Sequence, residues 1–268
     1  MPAIKAIAID LDETLLTSDK MLAPVNIAAV QRAAAAGCRI ILATARQRQA
    51  TVAIAGDLGL DEPLICDNGA RIYAGPAGPL WRETNIPMAV AERVCGLADA
   101  HGWEFSTLVG ETNFLRQRPG QPLGSFREGF EVVANNSAAL VAEPTRIFTW
   151  DEPAIVTLHA ICQNEFPTRC RADIFYEADG AYHSLGIFGA EADKGSALRF
   201  VLAQMGLQAQ EVLAIGDNSN DLPMLELAGF AVAMGNATDE VKAMADAIAP
   251  TNDEGGVAWA LDRFVGRG

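Results

Sequence analysis

The chain has 268 residues, half of them hydrophobic, and a net charge of −14 at pH 7. This length fits one large domain or two modest ones, and the hydrophobic share is enough for a full core. The acidity argues against nucleic acid and anionic membranes as partners, although a few cations in one cleft could still bind a small anionic substrate. No apolar run is long enough to span a bilayer, and the first residues predict a strand, not a signal peptide.

The cysteines predict a reducing environment. Their number is odd, and no pair shows the spacing of a metal site. Cys38 and Cys66 fall beside or within predicted strands, where a free thiol packs as a small hydrophobe. We therefore expect a cytoplasmic protein. The full set is Cys38, Cys66, Cys95, Cys162 and Cys170.

The first predicted element is a buried parallel strand over residues 4–9, followed by Asp10-Leu11-Asp12-Glu13-Thr14. Side chains alternate along a strand, so Asp10 and Asp12 lie on one side of an extended chain. Ligands of open α/β sheets bind at this end of the strands. Two close carboxylates resist joint ionisation unless a cation joins them, which favours Mg²⁺. The alternative is a plain acidic turn, with Thr14 starting a helix.

Strands and helices alternate through the N-terminal part. The next predicted elements are a helix over 25–36, a strand over 39–43, a helix over 48–58 and a strand over 64–66. Pro24 before the first helix and Gly37 after it are typical start and stop residues. Turn residues at 75–78 separate short apolar stretches at 72–73 and 80–81, which predicts a hairpin.

Polar residues follow two of these strands. Thr44 can donate a hydroxyl and a backbone N–H, and Arg46 lies two residues further on. Asn68 and Gly69 follow the strand over 64–66 and offer backbone amides. Each of these residues, taken alone, is more simply an ordinary loop or surface residue.

The alternation stops near Pro87, and residues 83–186 predict an α+β insertion. The predicted elements are a helix to about 101, paired strands over 104–108 and 112–116, strands over 155–161, 173–176 and 183–188, and a helix over 164–171. Three arginines of this segment could contact an anionic substrate, although solvent-exposed arginines are the simpler interpretation. They are Arg116, Arg118 and Arg127.

Alternation returns with a helix over 194–205 and a strand over 211–215. A lysine in the first turn of a helix opposes the helix dipole, so Lys194 predicts a local anionic partner. The second strand leads into Gly216-Asp217-Asn218-Ser219-Asn220-Asp221, a second acidic cluster, whose simpler interpretation is an N-cap loop. Two acidic strand ends in one sheet would supply enough oxygen ligands for one Mg²⁺. Further predicted elements are helices over 222–227, 241–245 and 257–264 and strands over 230–233 and 247–249.

The motifs, in this order and spacing, resemble those of the haloacid dehalogenase superfamily. They are Asp10-x-Asp12-x-Thr14, Thr44, Lys194 and Gly216-Asp217-x-x-Asn220-Asp221. Further segments resemble the Cof-type (subclass IIB) phosphatases: Asp67-Asn68-Gly69-Ala70, Asp193-Lys194-Gly195, Ala233-Met234-Gly235-Asn236-Ala237 and Asn252-Asp253-Glu254-Gly255-Gly256-Val257. The resemblance implies an α/β fold: a Rossmann-like parallel-sheet core over 1–82 and 187–268, and an inserted α+β cap over 83–186 that sets substrate specificity.

The resemblance also implies Mg²⁺-dependent hydrolysis of phosphomonoesters. Asp10 would be the nucleophile that forms an aspartyl-phosphate, and Asp12 would protonate the leaving oxygen and then activate water. Thr44 and Lys194 would hold the phosphoryl group. The implied metal residues are Asp10, Asp12 (through its backbone carbonyl), Asp217 and Asp221. The implied substrate-binding residues are Thr44, Arg46, Asn68, Gly69, Lys194 and Asn220, of which Asn220 also supports the metal ligands, as Asp221 does.

Three functions remain open at this point. A phosphatase for small phosphorylated metabolites, with sugar phosphates as the first class, is favoured. A phosphomutase of the same superfamily would require a bisphosphate, and a non-enzymatic phospholigand-binding regulator is disfavoured because Asp10 and Asp12 are both present. Ala45 stands where Cof-type proteins often have glycine. This departure from the family pattern leaves open which substrate is bound, but it does not affect the expected chemistry. We also expect that Lys194→Met would weaken catalysis and could raise stability.

Overall fold

The computed structural model describes residues 3–116, 129–176 and 182–265. It divides the chain into a core unit, Met1–Arg82 with Asp193–Gly268, and an inserted unit, Glu83–Ala192. Among the described residues, no helix combines the length and the apolar character that crossing a membrane requires. Arg118 and Arg127 lie outside the described residues.

The core unit is an α/β structure built on one eight-stranded sheet of the described residues, as the sequence predicts. Its strands are β1 (Ala6–Ile9), β2 (Arg39–Ala43), β3 (Leu64–Cys66), β4 (Arg71–Tyr73), β5 (Leu80–Glu83), β12 (Val212–Gly216), β13 (Phe230–Ala233) and β14 (Ala247–Ile248). Its helices are α1 (Pro24–Ala35), α2 (Arg48–Leu58), α5 (Lys194–Met205), α6 (Leu222–Leu227), α7 (Asp239–Met244) and α8 (Gly256–Phe264).

The strand order β14-β13-β12-β1-β2-β3-β4-β5 places β1 at the centre, between β12 and β2. The six strands from β14 to β3 run parallel, and β4 turns back antiparallel to β3 as the first strand of the predicted hairpin. Strands β1 and β12 are buried at every position, which explains their continuous apolar sequences. The polar turns after β1, β2, β3 and β12 therefore meet at one edge of the sheet.

In the inserted unit, six strands of the described ranges form a second sheet in the order β10-β11-β9-β6-β7-β8. Its elements are α3 (Met88–His101), β6 (Phe105–Val109), β7 (Thr112–Arg116), β8 (Glu131–Val133), β9 (Arg146–Thr149), α4 (Glu152–Glu165), β10 (Cys170–Tyr176) and β11 (Tyr182–Gly189). The unit extends past Gly186 to Ala192, because Phe188 still pairs with Arg146 of β9. Nη1 of Arg116 donates to the Trp103 carbonyl at 3.1 Å, so this arginine is bound to the backbone of its own unit.

The prediction of a strand over 155–161 and a helix over 164–171 is wrong. Residues 152–165 form α4, and β10 begins at Cys170. Ile155, Leu158 and Cys162 are buried at helical spacing, whereas Val156 is 51% exposed. A short run rich in β-branched residues does not separate a strand from a helix by composition, and here the packing decides.

Close backbone approach fixes the start of α5, the helix that begins with Lys194. A Cβ atom on Gly195 would lie closer than 3.0 Å to the carbonyl oxygen of Pro223. Only glycine allows α5 to pack this tightly against α6, and this packing sets the position of Lys194 at the edge of the sheet.

We expect Gly195→Ala to lower the free energy of unfolding by about 1–3 kcal/mol, because the new methyl group meets rigid backbone. Gly56→Ala is the matched control, since Gly56 lies in α2 with no atom within 4 Å of the added Cβ. That variant should gain up to about 1 kcal/mol from helix propensity. Urea unfolding of both variants tests this pair. Equal free energies of unfolding for the two variants would contradict the close approach of Gly195 to the Pro223 carbonyl.

Candidate active site

Lys194 links the first and second acidic clusters. Its Nζ donates to Oδ1 of Asp10 and to Oδ1 of Asp221, each at 2.5 Å. The lysine side chain is 1% exposed and the two carboxylates are 8% and 0% exposed. Asp10 directly follows β1, Asp221 lies in the turn after β12, and Lys194 is the first residue of α5. The anionic partner predicted for Lys194 is therefore this pair of carboxylates.

Asp217 lies beside this ion pair and completes a buried carboxylate cluster. One carboxylate oxygen from each of Asp10, Asp217 and Asp221 lies within 4.8 Å of the others. Thr14 donates its hydroxyl to Oδ1 of Asp217 at 2.7 Å, and this joins the turn after β1 to the turn after β12. Oδ2 of Asp221 accepts the backbone N–H groups of Asp217 and Asn218, at 2.9 and 3.1 Å. Asp221 thus orients the loop and the lysine together.

The cluster holds more negative than positive charge. Burial raises the pKa of Asp10 to about 7, although the ammonium of Lys194 opposes the rise. Burial, with repulsion from Asp10 and Asp221, also raises the pKa of Asp217 well above its usual value. The two partner carboxylates outweigh the effect of burial on Lys194 and raise its pKa. One lysine facing three carboxylates leaves a demand for further positive charge.

Asp12 occupies a more open position than Asp10. Arg46 binds its carboxylate through two bonds, Nε to Oδ2 at 2.8 Å and Nη2 to Oδ1 at 2.7 Å. Nζ of Lys20 lies 3.6 Å from Oδ1 of Asp12. Burial alone would raise the pKa of Asp12, but the Arg46 hydrogen bonds and charge lower it below the usual value. The carboxylate of Asp12 is held apart from the buried cluster.

Thr44 and the turn after β3 lie at the same edge of the sheet as the acidic clusters. Fewer of their polar groups are available to a ligand than the sequence predicts. The backbone N–H of Thr44 donates to Ile65, so the predicted free N–H is used by the sheet. The Thr44 hydroxyl oxygen accepts the backbone N–H of Arg46 at 3.1 Å. The backbone N–H of Asn68 donates to the Thr44 carbonyl, and Nδ2 of Asn220 donates to Oδ1 of Asn68 at 3.1 Å.

Gly69 and Asn68 both have positive φ, of 92° and 57°. A Cβ on Gly69 would lie closer than 3.0 Å to the Asp193 carbonyl oxygen, which brings this turn against the residue before Lys194. The predicted substrate-binding residues of the turn are thus close to Lys194 along the sheet edge.

The sequence patterns give no role to Lys20, and they place Thr14 in the first motif without assigning it a contact. The alternative interpretation, in which Thr14 starts a helix, does not hold, because Thr14 lies in a tight turn at 11–15 whose Asp12 and Glu13 are not helical. Its complete burial and its bond to Asp217 depend on a partner 203 positions away, so no local pattern signals them. Lys20 reaches Asp12 and Glu13 from a bend after the motif, and an exposed lysine carries no signal of such a contact.

The chain is similar to known hydrolases over nearly its whole length. The sequence model of the haloacid dehalogenase-like hydrolase family matches residues 7–261. Phosphatase YwpJ of Bacillus subtilis (strain 168) is 30% identical over 287 residues, covering 98% of this chain and 100% of that protein. Pyridoxal phosphate phosphatase YbhA of Escherichia coli (strain K12) is 28% identical over 261 residues, covering 95% and 96%.

A solved structure agrees with these sequence matches. A haloacid dehalogenase-like hydrolase from B. subtilis matches with a TM-score of 0.82 at 26% identity, covering 97% of this chain and 99% of that one. The motifs, the parallel sheet and the full-length matches agree, and the chain belongs to the haloacid dehalogenase-like hydrolases as a phosphatase of the Cof type.

Proposed function

We propose that this protein is a Mg²⁺-dependent phosphatase that hydrolyses small phosphorylated metabolites through an aspartyl-phosphate on Asp10. The observation that carries the proposal is the buried Lys194, which bonds to Asp10 and Asp221 beside Asp217. A buried ammonium at the end of the central strand is a costly arrangement for stability alone. It suits a site that must bring an anionic nucleophile to an anionic phosphate.

The carboxylate cluster fits a magnesium ion. Its donors are hard oxygens, and the hydrogen bonds of the described residues engage Oδ1 of both Asp10 and Asp217, leaving Oδ2 of each for a cation. Burial, with repulsion between the carboxylates, raises the pKa values of both groups, and a divalent cation would favour their ionised forms. We propose Asp10, Asp217 and the Asp12 carbonyl as ligands, with Asp221 in support. Bound there, Mg²⁺ would neutralise charge on the attacking carboxylate and the phosphate.

In the proposed reaction, a carboxylate oxygen of Asp10 attacks phosphorus and the bond to the ester oxygen breaks. Asp12 gives its proton to the departing oxygen. Asp12 then takes a proton from water, the water attacks phosphorus, and the acyl-phosphate bond breaks to release phosphate and restore Asp10. Lys194 would stabilise negative charge in both steps, and Thr44, Asn68, Gly69 and Asn220 would position the phosphoryl oxygens.

Arg46 has one observed partner, Asp12, and one proposed partner, the phosphate of the substrate. Its two-bond contact favours the carboxylate form of Asp12, whereas the first step needs Asp12 protonated. A phosphate dianion entering the site competes for the same guanidinium, because arginine binds phosphate through paired donors as well. We therefore propose that Arg46 transfers from Asp12 to the substrate, which allows Asp12 to take up the proton.

The proposed substrates are small phosphomonoesters, with sugar phosphates tested first. The relative YbhA acts on pyridoxal phosphate by name, so phosphorylated heterocycles belong in the same test. We propose that the inserted unit acts as a cap and recognises the part of the substrate that carries the phosphate. The cytoplasm is the proposed compartment, since all five cysteines are buried free thiols that a reducing environment preserves.

The deciding experiment is phosphate release from a panel of sugar phosphates, nucleotides and cofactor phosphates, with Mg²⁺ and with a chelator. We expect turnover of several small monoesters only when Mg²⁺ is present. Full activity in the chelator would overturn the metal assignment. Turnover that requires a sugar bisphosphate would favour the phosphomutase instead.

We predict that Asp10→Asn lowers kcat by several powers of ten, because the amide is a poor nucleophile of nearly equal shape. Asp57→Asn is the control, since Asp57 is an exposed carboxylate on α2. Steady-state kinetics on the best substrate and a thermal unfolding curve complete the test. An Asp10 variant that retains more than about a tenth of the activity is incompatible with covalent catalysis by this residue.

Lys194→Met is predicted to impair both catalysis and folding stability. The buried contacts argue against a gain in stability, because the substitution leaves Asp10 and Asp221 buried without their cation. Removing one partner of a buried ion pair costs about 3–5 kcal/mol. Lys5→Met removes a lysine that is 58% exposed from its pair with Glu211, and should cost less than about 1 kcal/mol. Chemical unfolding of both variants tests the contrast, and a Lys194 variant as stable and active as wild type would refute it.

Substitutions in the inserted unit are predicted to change substrate ranking. On β9, Ile147 packs into the hydrophobic cluster with α3 and α4, while Arg146 and Phe148 lie on the opposite face of the sheet. We expect Arg146→Ala to change the ratio of kcat/KM between two unlike substrates by about tenfold, with Mg²⁺ dependence retained. The control is Val156→Ala, on the exposed side of α4. Equal losses of kcat/KM on both substrates would mean that the sheet face with Arg146 and Phe148 has only a structural role.

A further inference from the structure

The turn that carries Asp12 has an unfavourable backbone conformation. Asp12 has extended dihedral angles, and Glu13 follows with φ 58° and ψ 9°, in the left-handed region that residues with a side chain rarely adopt. Such a conformation persists only where surrounding contacts enforce it. The contacts that hold Glu13 therefore also fix the position of Asp12.

Two asparagines from distant segments provide these contacts. Nδ2 of Asn236 donates to the backbone carbonyl of Glu13 at 2.8 Å. Nδ2 of Asn252 donates to the backbone carbonyl of Leu16 at 3.1 Å and to Oε2 of Glu13 at 3.2 Å. The two asparagines are also joined, because Oδ1 of Asn236 accepts the backbone N–H of Asn252 at 3.0 Å. Together Asn236 and Asn252 form an asparagine clamp that holds the left-handed residue Glu13 and the end of the turn at Leu16.

The clamp acts on Asp12 more than on Asp10. Asp10 belongs to the edge of β1, where its backbone N–H bonds to Ile215 and its side chain bonds to Lys194. Asp12 lies beyond the strand, and its side chain is 39% exposed. Its position depends on the turn, on Lys20 and on Arg46, and the proposed function requires Arg46 to leave when substrate binds. The turn and the half-exposed Lys20 are then the remaining supports of Asp12.

We propose that Asn236 and Asn252 are positioning residues that hold Asp12 in place for proton transfer to the leaving oxygen. This inference rests on the proposed function, in which Asp12 is the general acid. It also gives a role to the segments 233–237 and 252–257, which the phosphate chemistry itself does not use. A displacement of about 1 Å at a reacting group can cost on the order of 10²-fold in rate.

The test uses the dependence of the rate on the leaving group. An alkyl phosphate needs protonation of its departing oxygen, whereas p-nitrophenyl phosphate releases a stable anion that needs little help from an acid. We expect Asn252→Ala and Asn236→Ala to lower kcat/KM, which reports the step in which the leaving group departs, by tenfold or more on the alkyl phosphate beyond their effect on p-nitrophenyl phosphate. Substrate binding should change little, because Lys194 and Thr44 are intact. An unfolded fraction lowers both rates equally and cancels from their ratio.

The matched control breaks another bond in the same C-terminal turn. Thr251 donates its hydroxyl and its backbone N–H to Oε2 of Glu254, at 2.8 and 3.1 Å, without contacting the turn after β1. Glu254→Ala should therefore lower stability without changing the ratio between the two substrates. The same change of ratio in this control would show that general loosening of the segment, and not the clamp, is responsible.

A double-mutant comparison separates the clamp from the proposed function. In kcat/KM, which reports the step in which the leaving group departs, Asp12→Asn should lose far more on the alkyl phosphate than on p-nitrophenyl phosphate, and adding Asn252→Ala should then cost little more. If Asp12→Asn lowers kcat/KM equally on both substrates, the acid role of Asp12 fails. If Asp12→Asn discriminates between them but neither asparagine variant does, the clamp alone is refuted and the proposed function stands.

Discussion

The ammonium group of Lys194 lies within 2.5 Å of carboxylate oxygens from two acidic motifs more than two hundred residues apart. The three side chains are nearly inaccessible to water, so each charge is stabilised mainly by the others. Burying charged groups is unfavourable unless they are paired and hydrogen bonded. The turns after β1 and β12 and the first turn of α5 must therefore be positioned together, and much of the core unit serves this requirement.

The parallel sheet makes this arrangement possible. Neighbouring parallel strands end at the same edge, so β1 and β12 deliver Asp10 and Asp217 side by side while their apolar residues form the core. Gly195 lets α5 approach α6, and Gly69 lets the turn after β3 approach the residue before Lys194. The side chains of the proposed site thus lie within the first few residues after a strand or in the first turn of α5, where rigid elements hold them in position.

The two aspartates of the first motif have opposite environments. Burial raises the pKa of Asp10, whereas the paired Arg46 lowers the pKa of Asp12. Two carboxylates with a single residue between them thereby lie in different surroundings, Asp10 buried beside a lysine and Asp12 more accessible and bound to Arg46. The left-handed backbone of Glu13 follows both aspartates and turns the chain out of the strand direction directly after Asp12.

The α/β core and the strand ends with their acidic clusters follow from local sequence patterns, namely apolar runs and turn residues. The resemblance of the ordered motifs to a known family indicated Asp10, Asp217 and Lys194 as neighbours. Features that depend on distant partners are fixed only by the folded chain. Residues 152–165 became a helix because one side of them packs in a core. Thr14, Asn236 and Asn252 acquired bonds to residues some two hundred positions away. The N–H of Thr44 went to the sheet, because backbone donors are satisfied by whichever strand lies alongside.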